Sequence, residues 1–113
     1  MAIQKWSDDI ILINLAKEPQ LGEELQVVID MVRDDPRHDV VVDFADVDIL
    51  TSSSIAKLLK LRKVLLDDDN RIALSSVSQQ TMQIFKLTAL DTVFEFVESQ
   101  FVALAGLQVA CAD

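Results

Sequence analysis

An α/β fold, with a mixed β-sheet of about five strands and four helices, is predicted by three observations on this sequence. Short runs of β-branched and other apolar residues alternate with segments whose apolar residues recur every three or four positions, as on one face of a helix. Hydroxyl and acidic residues separate these segments, as at turns and helix starts. The first two runs are joined by a tight turn, whereas the later ones are separated by helical segments, which predicts parallel crossovers.

The composition predicts a folded protein with one hydrophobic core. The chain has 113 residues, of which 50% are hydrophobic and 26% charged, a balance unlike that of disordered acidic segments. At this length one core is expected, so we predict a single domain over residues 1–113. The 19 acidic and 10 basic residues give a net charge of -9, which repels phosphate backbones and argues against direct nucleic-acid binding.

Catalytic, metal and membrane roles are disfavoured. One cysteine, Cys111, and one histidine, His38, can form neither a disulfide nor a Cys/His metal site, so we expect no metal. The sequence has no glycine-rich phosphate loop and no combination of nucleophile and base, so we expect no cofactor and no enzymatic activity. We expect His38 to lie in a solvated loop. No apolar run reaches the ~18 residues of a membrane span, so we expect a cytoplasmic protein without membrane insertion.

The first half of the chain predicts two paired strands, a helix and a central strand. Residues 3–6 and 10–15 are apolar runs separated by a polar turn. From residue 20 to residue 33 the spacing predicts a helix with Pro19 in its first turn and one apolar face, formed by Leu21, Leu25, Val28 and Val32. Residues 40–42 are three valines between aspartates, which predicts a buried strand parallel to the preceding one.

The second helix has the sharpest predicted start in the chain. Four hydroxyl residues, 51–54, stand as candidate N-caps directly before an apolar-periodic segment from 55 to 66. One side of this helix is predicted to be apolar, with Arg62 at its edge, and consists of Ile55, Leu58, Leu59, Leu65 and Leu66. An opposite basic stripe is formed by Lys57, Lys60 and Lys63.

The last third predicts two further strand and helix pairs. The acidic residues 67–69 and Asn70 end the second helix in solvent, and residues 71–75 form a strand. Ser78 caps a short helix that carries Met82, Phe85 and Leu87. Residues 93–97 are a strand, and Ser99 opens a helix through residue 107. The predicted order is therefore β-β-α-β-α-β-α-β-α.

The segment 46–54 is the candidate functional site, because it joins a buried strand to a helix start rich in hydroxyls. The unpaired amides and the dipole of a helix N-terminus stabilise an added phosphate. A phosphate adds roughly 1.5 to 2 negative charges, which beside Asp46 and Asp48 would repel a docked partner. The alternative interpretation is that these hydroxyls only cap the helix.

Two segments of the sequence resemble the STAS domains of bacterial anti-sigma-factor antagonists. In that family a hydrophobic strand and an Asp-containing turn lead into Asp-Ser-Ser-Gly at a helix start; here residues 40–44 lead into Asp46-Val47-Asp48-Ile49-Leu50-Thr51-Ser52-Ser53-Ser54. Downstream, Leu87-Thr88-Ala89-Leu90-Asp91 followed by Val93-Phe94 is similar to the family's Leu-Thr-Gly-Leu-Asp and Val/Leu-Phe segment. The two motifs occur in the family's order.

The resemblance implies a STAS fold and a protein that binds a partner without catalysing a reaction. It implies an anti-sigma factor that is itself a serine kinase as the partner, phosphorylation at Ser52 with Ser53 as the fallback acceptor, and a serine phosphatase that reverses it. Three residues depart from the family pattern: Thr51 replaces Asp, Ser54 replaces Gly, and Ala89 replaces Gly. Thr51 is therefore an additional candidate acceptor.

The predicted partner surface spans residues 48–63 and includes Asp48, Thr51, Ser52, Ser53, Ser54, Lys57 and Lys60. For the basic stripe the alternative is an ordinary solvated helix face. For the whole chain the alternative function is a STAS scaffold, or a subunit of a lipid-transport or signalling complex, that is never phosphorylated. Whether the domain forms a homodimer is left open by the sequence.

Overall fold

A computed structural model describes residues 2–111 and confirms the predicted α/β class. The elements are β1 (Ala2–Ser7), β2 (Ile10–Asn14), α1 (Gln20–Asp34), β3 (Asp39–Asp43), α2 (Ser52–Asp67), β4 (Ile72–Ser75), α3 (Gln79–Leu87), β5 (Glu95–Val97) and α4 (Gln100–Cys111). They form one five-stranded sheet in the order β1-β2-β3-β4-β5. The β1 and β2 strands are antiparallel, and β2 to β5 are parallel, as the crossovers predict.

Helices cover the sheet unequally on its two faces. On one face, residues such as Ile11, Val40 and Val42 pack with the buried side chains of α1, α2 and α3. On the other face, Leu12 and Val41 belong to a smaller cluster to which α4 contributes Ala103 and Leu104. The β2 and β3 strands are buried on both faces, which explains their nearly continuous apolar sequences.

The buried face of α2 differs from the predicted one. It runs through Ser54, Leu58, Leu61 and Leu65, at spacings of four, three and four. The predictions for Leu59 and Leu66 were wrong, since these side chains are 37% and 46% exposed. Each follows a core leucine by one position and so lies about 100° around the helix from it. Arg62 does lie at the edge, where its Nε donates to the Val93 carbonyl oxygen at 3.2 Å.

Three predictions for the C-terminal third need correction. The β5 strand begins at Glu95 and not at Val93, because the Val93 amide donates to the Leu90 carbonyl oxygen at 3.1 Å and closes a turn. Ser99 does open α4, because its hydroxyl accepts the Val102 amide hydrogen at 3.3 Å, but the helix extends beyond residue 107 to Cys111. Leu87 is 85% exposed and contributes nothing to the core. Among residues 2–111, no helix has the length and apolar character needed to cross a membrane.

His38 was expected to lie in solvent, and this prediction was wrong. Its side chain is 2% exposed, and Nδ1 lies 3.1 Å from the carbonyl oxygen of Asp35. The imidazole therefore closes the turn between α1 and β3 and is covered by it. A single polar residue in a loop does not reveal whether its ring points into the turn or away from it.

Ala89 adopts the left-handed conformation that the family's glycine would adopt without strain. Its φ is 60°. The α3 helix ends in a Schellman motif, in which the Leu90 amide donates to the Phe85 carbonyl oxygen at 2.8 Å and the Ala89 amide donates to that of Lys86 at 3.1 Å. Because this motif requires a positive φ at Ala89, the alanine Cβ is strained there.

We expect Ala89→Gly to stabilise the protein. Relief of the left-handed strain outweighs the extra freedom of glycine in the unfolded chain, so the free energy of unfolding should rise by about 0.5–1 kcal/mol. The matched control is Ala56→Gly, at an exposed position inside α2, which should lower it by about 1 kcal/mol. Urea unfolding followed by circular dichroism measures both. Equal losses at the two positions would contradict the strain at Ala89.

Candidate functional site

The segment between β3 and α2 is anchored at both ends and presents its polar residues outward. Val47 and Leu50 are buried, at 4% and 7% exposure, so they hold the segment against the core. Ile49 lies between these two residues and is 59% exposed. Asp46, just before Val47, and Asp48, just after it, lie at the surface. The hydroxyl residues that follow are therefore held at a fixed place on the carboxyl-terminal edge of the sheet.

Thr51 caps α2 and is one of the candidate N-caps among residues 51–54. Its backbone is extended, and its Oγ1 accepts a hydrogen bond from the Ser54 amide at 3.1 Å. The helix begins at Ser52, so Ser52 and Ser53 occupy the first turn. Thr51, Ser52 and Ser53 are exposed, whereas Ser54 is 2% exposed.

Glu18, from the loop between β2 and α1, lies against the start of α2. Its Oε2 accepts the Thr51 amide hydrogen at 3.2 Å. The Ser54 hydroxyl donates to Glu18 Oε1 and Oε2 at 2.9 and 3.0 Å. The Thr51 hydroxyl donates in turn to Ser54 Oγ at 3.1 Å. A relay therefore runs from Thr51 through Ser54 to the Glu18 carboxylate.

The relay favours the ionised form of Glu18. Partial burial raises the pKa of its carboxyl, but hydrogen bonds from Thr51, Ser54 and the Gly22 backbone outweigh this effect and hold the pKa below its ordinary value. A carboxylate at this position also faces the positive end of the α2 dipole. Glu18 therefore remains charged at neutral pH and stabilises the helix start.

Lys57 differs from the other residues of the predicted basic stripe. Its Nζ donates to the Gly22 carbonyl oxygen at 3.1 Å, and the side chain is only partly exposed. It borders a cleft of about 220 Å³ between α1 and α2, together with Glu18, Glu23 and Ser53. The interpretation of the basic stripe as a solvated helix face is therefore wrong for Lys57. Lys60 and Lys63 are exposed, in agreement with it.

Four of the predicted partner residues lie together at the surface, whereas a fifth, Ser54, is buried. Asp48, Thr51, Ser52 and Ser53 are all exposed along one continuous segment. Asp48 also forms an exposed ion pair with Lys17, with 3.6 Å between Nζ and Oδ2. Ser54 is a correction, because its hydroxyl faces Glu18 in the interior and offers no surface to a partner.

Glu18 is the site residue that the sequence reasoning missed. It lies 33 positions before Thr51, so no local motif links the two. A signal was nevertheless present. Neighbouring parallel strands end at the same edge of a sheet, so the loops that follow β2 and β3 are adjacent. An acidic residue in the first loop could therefore have been expected near the start of α2.

We expect Thr51→Ala to destabilise the protein more than Ser52→Ala does. The first change removes the cap on Ser54 and should lower the free energy of unfolding by about 0.5–2 kcal/mol. Among residues 2–111, the Ser52 side chain makes no hydrogen bond, so its removal should cost no more than about 0.5 kcal/mol. Chemical unfolding of the two variants, one residue apart, gives the comparison. Similar losses would mean that Thr51 does not act as the cap.

Comparisons with known proteins find one matching family model and several similar solved structures. A family model for the STAS domain matches residues 5–101. A search of curated protein sequences finds no match. Among solved structures, an anti-sigma-factor antagonist (STAS) domain protein from Planctomyces limnophilus is 19% identical, with a TM-score of 0.78, over 95% of this chain and 97% of that chain.

Two other similar structures carry different descriptions. The Bacillus cell fate determinant SpoIIAA, in its phosphorylated form, is 14% identical with a TM-score of 0.72, over 94% of this chain and 97% of that chain. A sulfate transporter family protein from Wolinella succinogenes is 14% identical with a TM-score of 0.76, over 93% of this chain and 88% of that chain. At such identities the likeness shows a common fold.

Proposed function

Because this chain belongs to the STAS domain family, we propose that it is an anti-sigma-factor antagonist that phosphorylation of Ser52 switches off. The unmodified protein binds an anti-sigma factor that is also a serine kinase, and so regulates transcription indirectly in the cytoplasm. The kinase phosphorylates Ser52, and a serine phosphatase restores the binding form. The chain acts by binding and not by catalysis.

The observation that carries this proposal is the position of the Ser52 hydroxyl. It is exposed in the first turn of α2, and within residues 2–111 it makes no hydrogen bond. The Thr51 and Ser54 hydroxyls are both engaged in the relay to Glu18. Ser53 is exposed but borders the cleft against α1. Ser52 is therefore the best-placed acceptor, with Ser53 as the fallback and Thr51 the least suitable.

The surface around Ser52 suits a protein partner that tolerates no added negative charge. Ile49 and Leu59, at 59% and 37% exposure, supply apolar contact area on either side of the first turn of α2. Asp48 and Lys60 give this surface charges of both signs at its rim. A phosphate placed here would have to be desolvated by a docked partner and would lie close to Asp46 and Asp48.

Incubation with the cognate kinase and ATP, followed by peptide mass mapping, tests the acceptor. We expect one phosphate on the peptide that contains residues 51–54, assigned to Ser52 by fragmentation. Ser52→Ala should abolish it, and Ser53→Ala should leave it in place. Phosphate on Ser53 in the wild type would show that Ser53, and not Ser52, is the acceptor. An unmodified peptide in the presence of a kinase that phosphorylates another substrate would refute the switch.

A second candidate function is a STAS subunit that is never phosphorylated, in a transport or signalling assembly. Two observations favour it: a sulfate transporter family protein has a similar structure, and Thr51 and Ser54 are hydrogen-bonded to Glu18 where the family motif has Asp and Gly. Affinity capture separates the two functions. Recovery of transporter components by wild type and by Ser52→Asp alike would support the second candidate, whereas a kinase recovered only by wild type would support the first.

A further inference from the structure

Glu18 links two loops that are far apart in the sequence. Its carboxylate accepts hydrogen bonds from the Thr51 amide and the Ser54 hydroxyl, which lie 33 and 36 positions further along the chain. Beside it, Lys17 pairs with Asp48 across the same two loops. The loop between β2 and α1 is therefore attached to the start of α2 mainly through one negatively charged side chain.

This carboxylate already occupies the position that an anion prefers at the start of α2. The positive end of the helix dipole attracts negative charge, and in the unmodified protein Glu18 supplies it beside the helix start, where it accepts hydrogen bonds from the Thr51 amide and the Ser54 hydroxyl. A phosphate on Ser52 would lie one residue after Thr51 and would be attracted to the same end of the helix. Two anions would then compete for one helix terminus, and the phosphate carries more charge.

We propose that Glu18 is the positioning residue that responds to the phosphate: its carboxylate holds the loop of residues 15–19 on α2 in the unmodified protein, and a phosphate on Ser52 displaces it. This inference rests on the proposed function and extends it. Phosphorylation would then alter two loops of the surface, because release of Glu18 also frees the Thr51 amide and the Ser54 hydroxyl.

Within the part of the chain that the structure describes, the charged side chains around Glu18 have other contacts. Glu23, on α1, borders the same cleft and adds repulsion. Lys57, on α2, donates its Nζ to the Gly22 carbonyl oxygen. The Lys17 and Asp48 side chains are paired with each other at 3.6 Å and are 67% and 55% exposed. Charge introduced at Ser52 should therefore act on Glu18 with only partial compensation from the Lys57 ammonium, which borders the same cleft.

The experiment installs phosphoserine at position 52 during translation, so that no kinase is needed. Carbon-detected NMR titration of the Glu18 side chain gives its pKa, and proton NMR gives the exchange rate of the Thr51 amide. We expect the pKa of Glu18 to shift upward from its lowered value in the unmodified protein. Loss of the hydrogen bond should speed exchange of the Thr51 amide about fivefold.

Two control proteins make the result specific. Ser7 lies at the end of β1, beside the start of β2, and so at the opposite ends of the strands from Ser52. Phosphoserine at Ser7 adds the same charge away from the site and should leave the pKa of Glu18 and the exchange rate of the Thr51 amide unchanged. Glu18→Ala in the unmodified protein should reproduce the faster exchange of the Thr51 amide. Circular dichroism verifies that each protein is folded.

An unchanged exchange rate of the Thr51 amide in the phosphoserine-52 protein would overturn the proposal, even if the pKa of Glu18 rose, because a nearby phosphate raises that pKa without moving the carboxylate. That failure is distinguishable from failure of the proposed function. If the phosphate abolished partner binding while Glu18 stayed in place, the switch would stand and the role of Glu18 would fall. If Glu18 moved while binding to the kinase was unaffected, the displacement would stand and the switch would fall.

Discussion

Replacing Phe85 with alanine is expected to lower the free energy of unfolding by about 3–5 kcal/mol. Its side chain is fully buried on the inner face of α3. The ring makes edge contacts with Phe44, Phe94 and Phe96, at centroid distances of 6.1, 6.0 and 5.2 Å. Truncation would leave a cavity among three aromatic rings that cannot close around it. Since domains of this size are stable by about 5–15 kcal/mol, the variant should be close to unfolding.

The control for this prediction lies two residues away on the same helix. Leu87 is 85% exposed, so Leu87→Ala should change the free energy of unfolding by no more than about 0.5 kcal/mol. Denaturant unfolding of both variants, followed by circular dichroism, gives the difference. A loss at Phe85 no larger than that at Leu87 would show that the aromatic cluster does not hold α3 on the sheet.

Phosphate at Ser52 is expected to weaken binding of the anti-sigma kinase by about 100-fold or more. Like charges brought together in an interface cost several kcal/mol, and each 1.4 kcal/mol is tenfold in affinity. The phosphate would enter a surface that already carries Asp46 and Asp48, in a chain with a net charge of -9. The Lys57 ammonium borders the cleft beside Glu18 and Ser53, where it donates to the neutral Gly22 carbonyl oxygen, and its single positive charge offsets only part of the added negative charge.

Isothermal titration of the purified kinase measures this effect directly. Protein with phosphoserine at position 52 is compared with unmodified protein, with Ser52→Ala and with phosphoserine at position 7. Ser52→Ala should bind within about threefold of the wild type, because it removes an exposed hydroxyl and adds no charge. Equal affinity of the two phosphoserine proteins would show that the position of the phosphate does not control binding.

The sequence predicted the elements whose residues carry a strong local signal. The three valines of β3 lie inside the observed strand, and the hydroxyl run marks the start of α2, although the helix begins at Ser52, three residues before the predicted segment from 55. Both signals are local, since a buried strand needs consecutive β-branched residues and a helix start needs a cap within three residues. Ala89 also stood out, as a departure from the family's glycine, and the structure gives the reason in its φ of 60°.

Predictions that depended on the direction of packing were less accurate. Periodicity marks α2 as amphipathic, but it did not distinguish a face centred on Leu61 from one that includes Leu59 and Leu66. That choice is made by where α1 lies against the helix, and a single helix does not contain this information. Glu18 shows the same limit for the site, because its contact with Thr51 exists only once β2 and β3 are side by side.

The antiparallel pairing of β1 has a practical consequence for experiments on binding. Ala2 lies opposite Asn14 at the end of β2, and Asn14 lies beside Asp43 at the end of β3. An affinity tag or fusion joined ahead of Ala2 therefore emerges at the edge of the sheet that carries Ser52. The α4 helix leads away from that edge, since Gly106 lies near Arg71 at the start of β4. Bait proteins should accordingly be immobilised through a tag that follows α4, because one placed ahead of Ala2 would shield the surface under test.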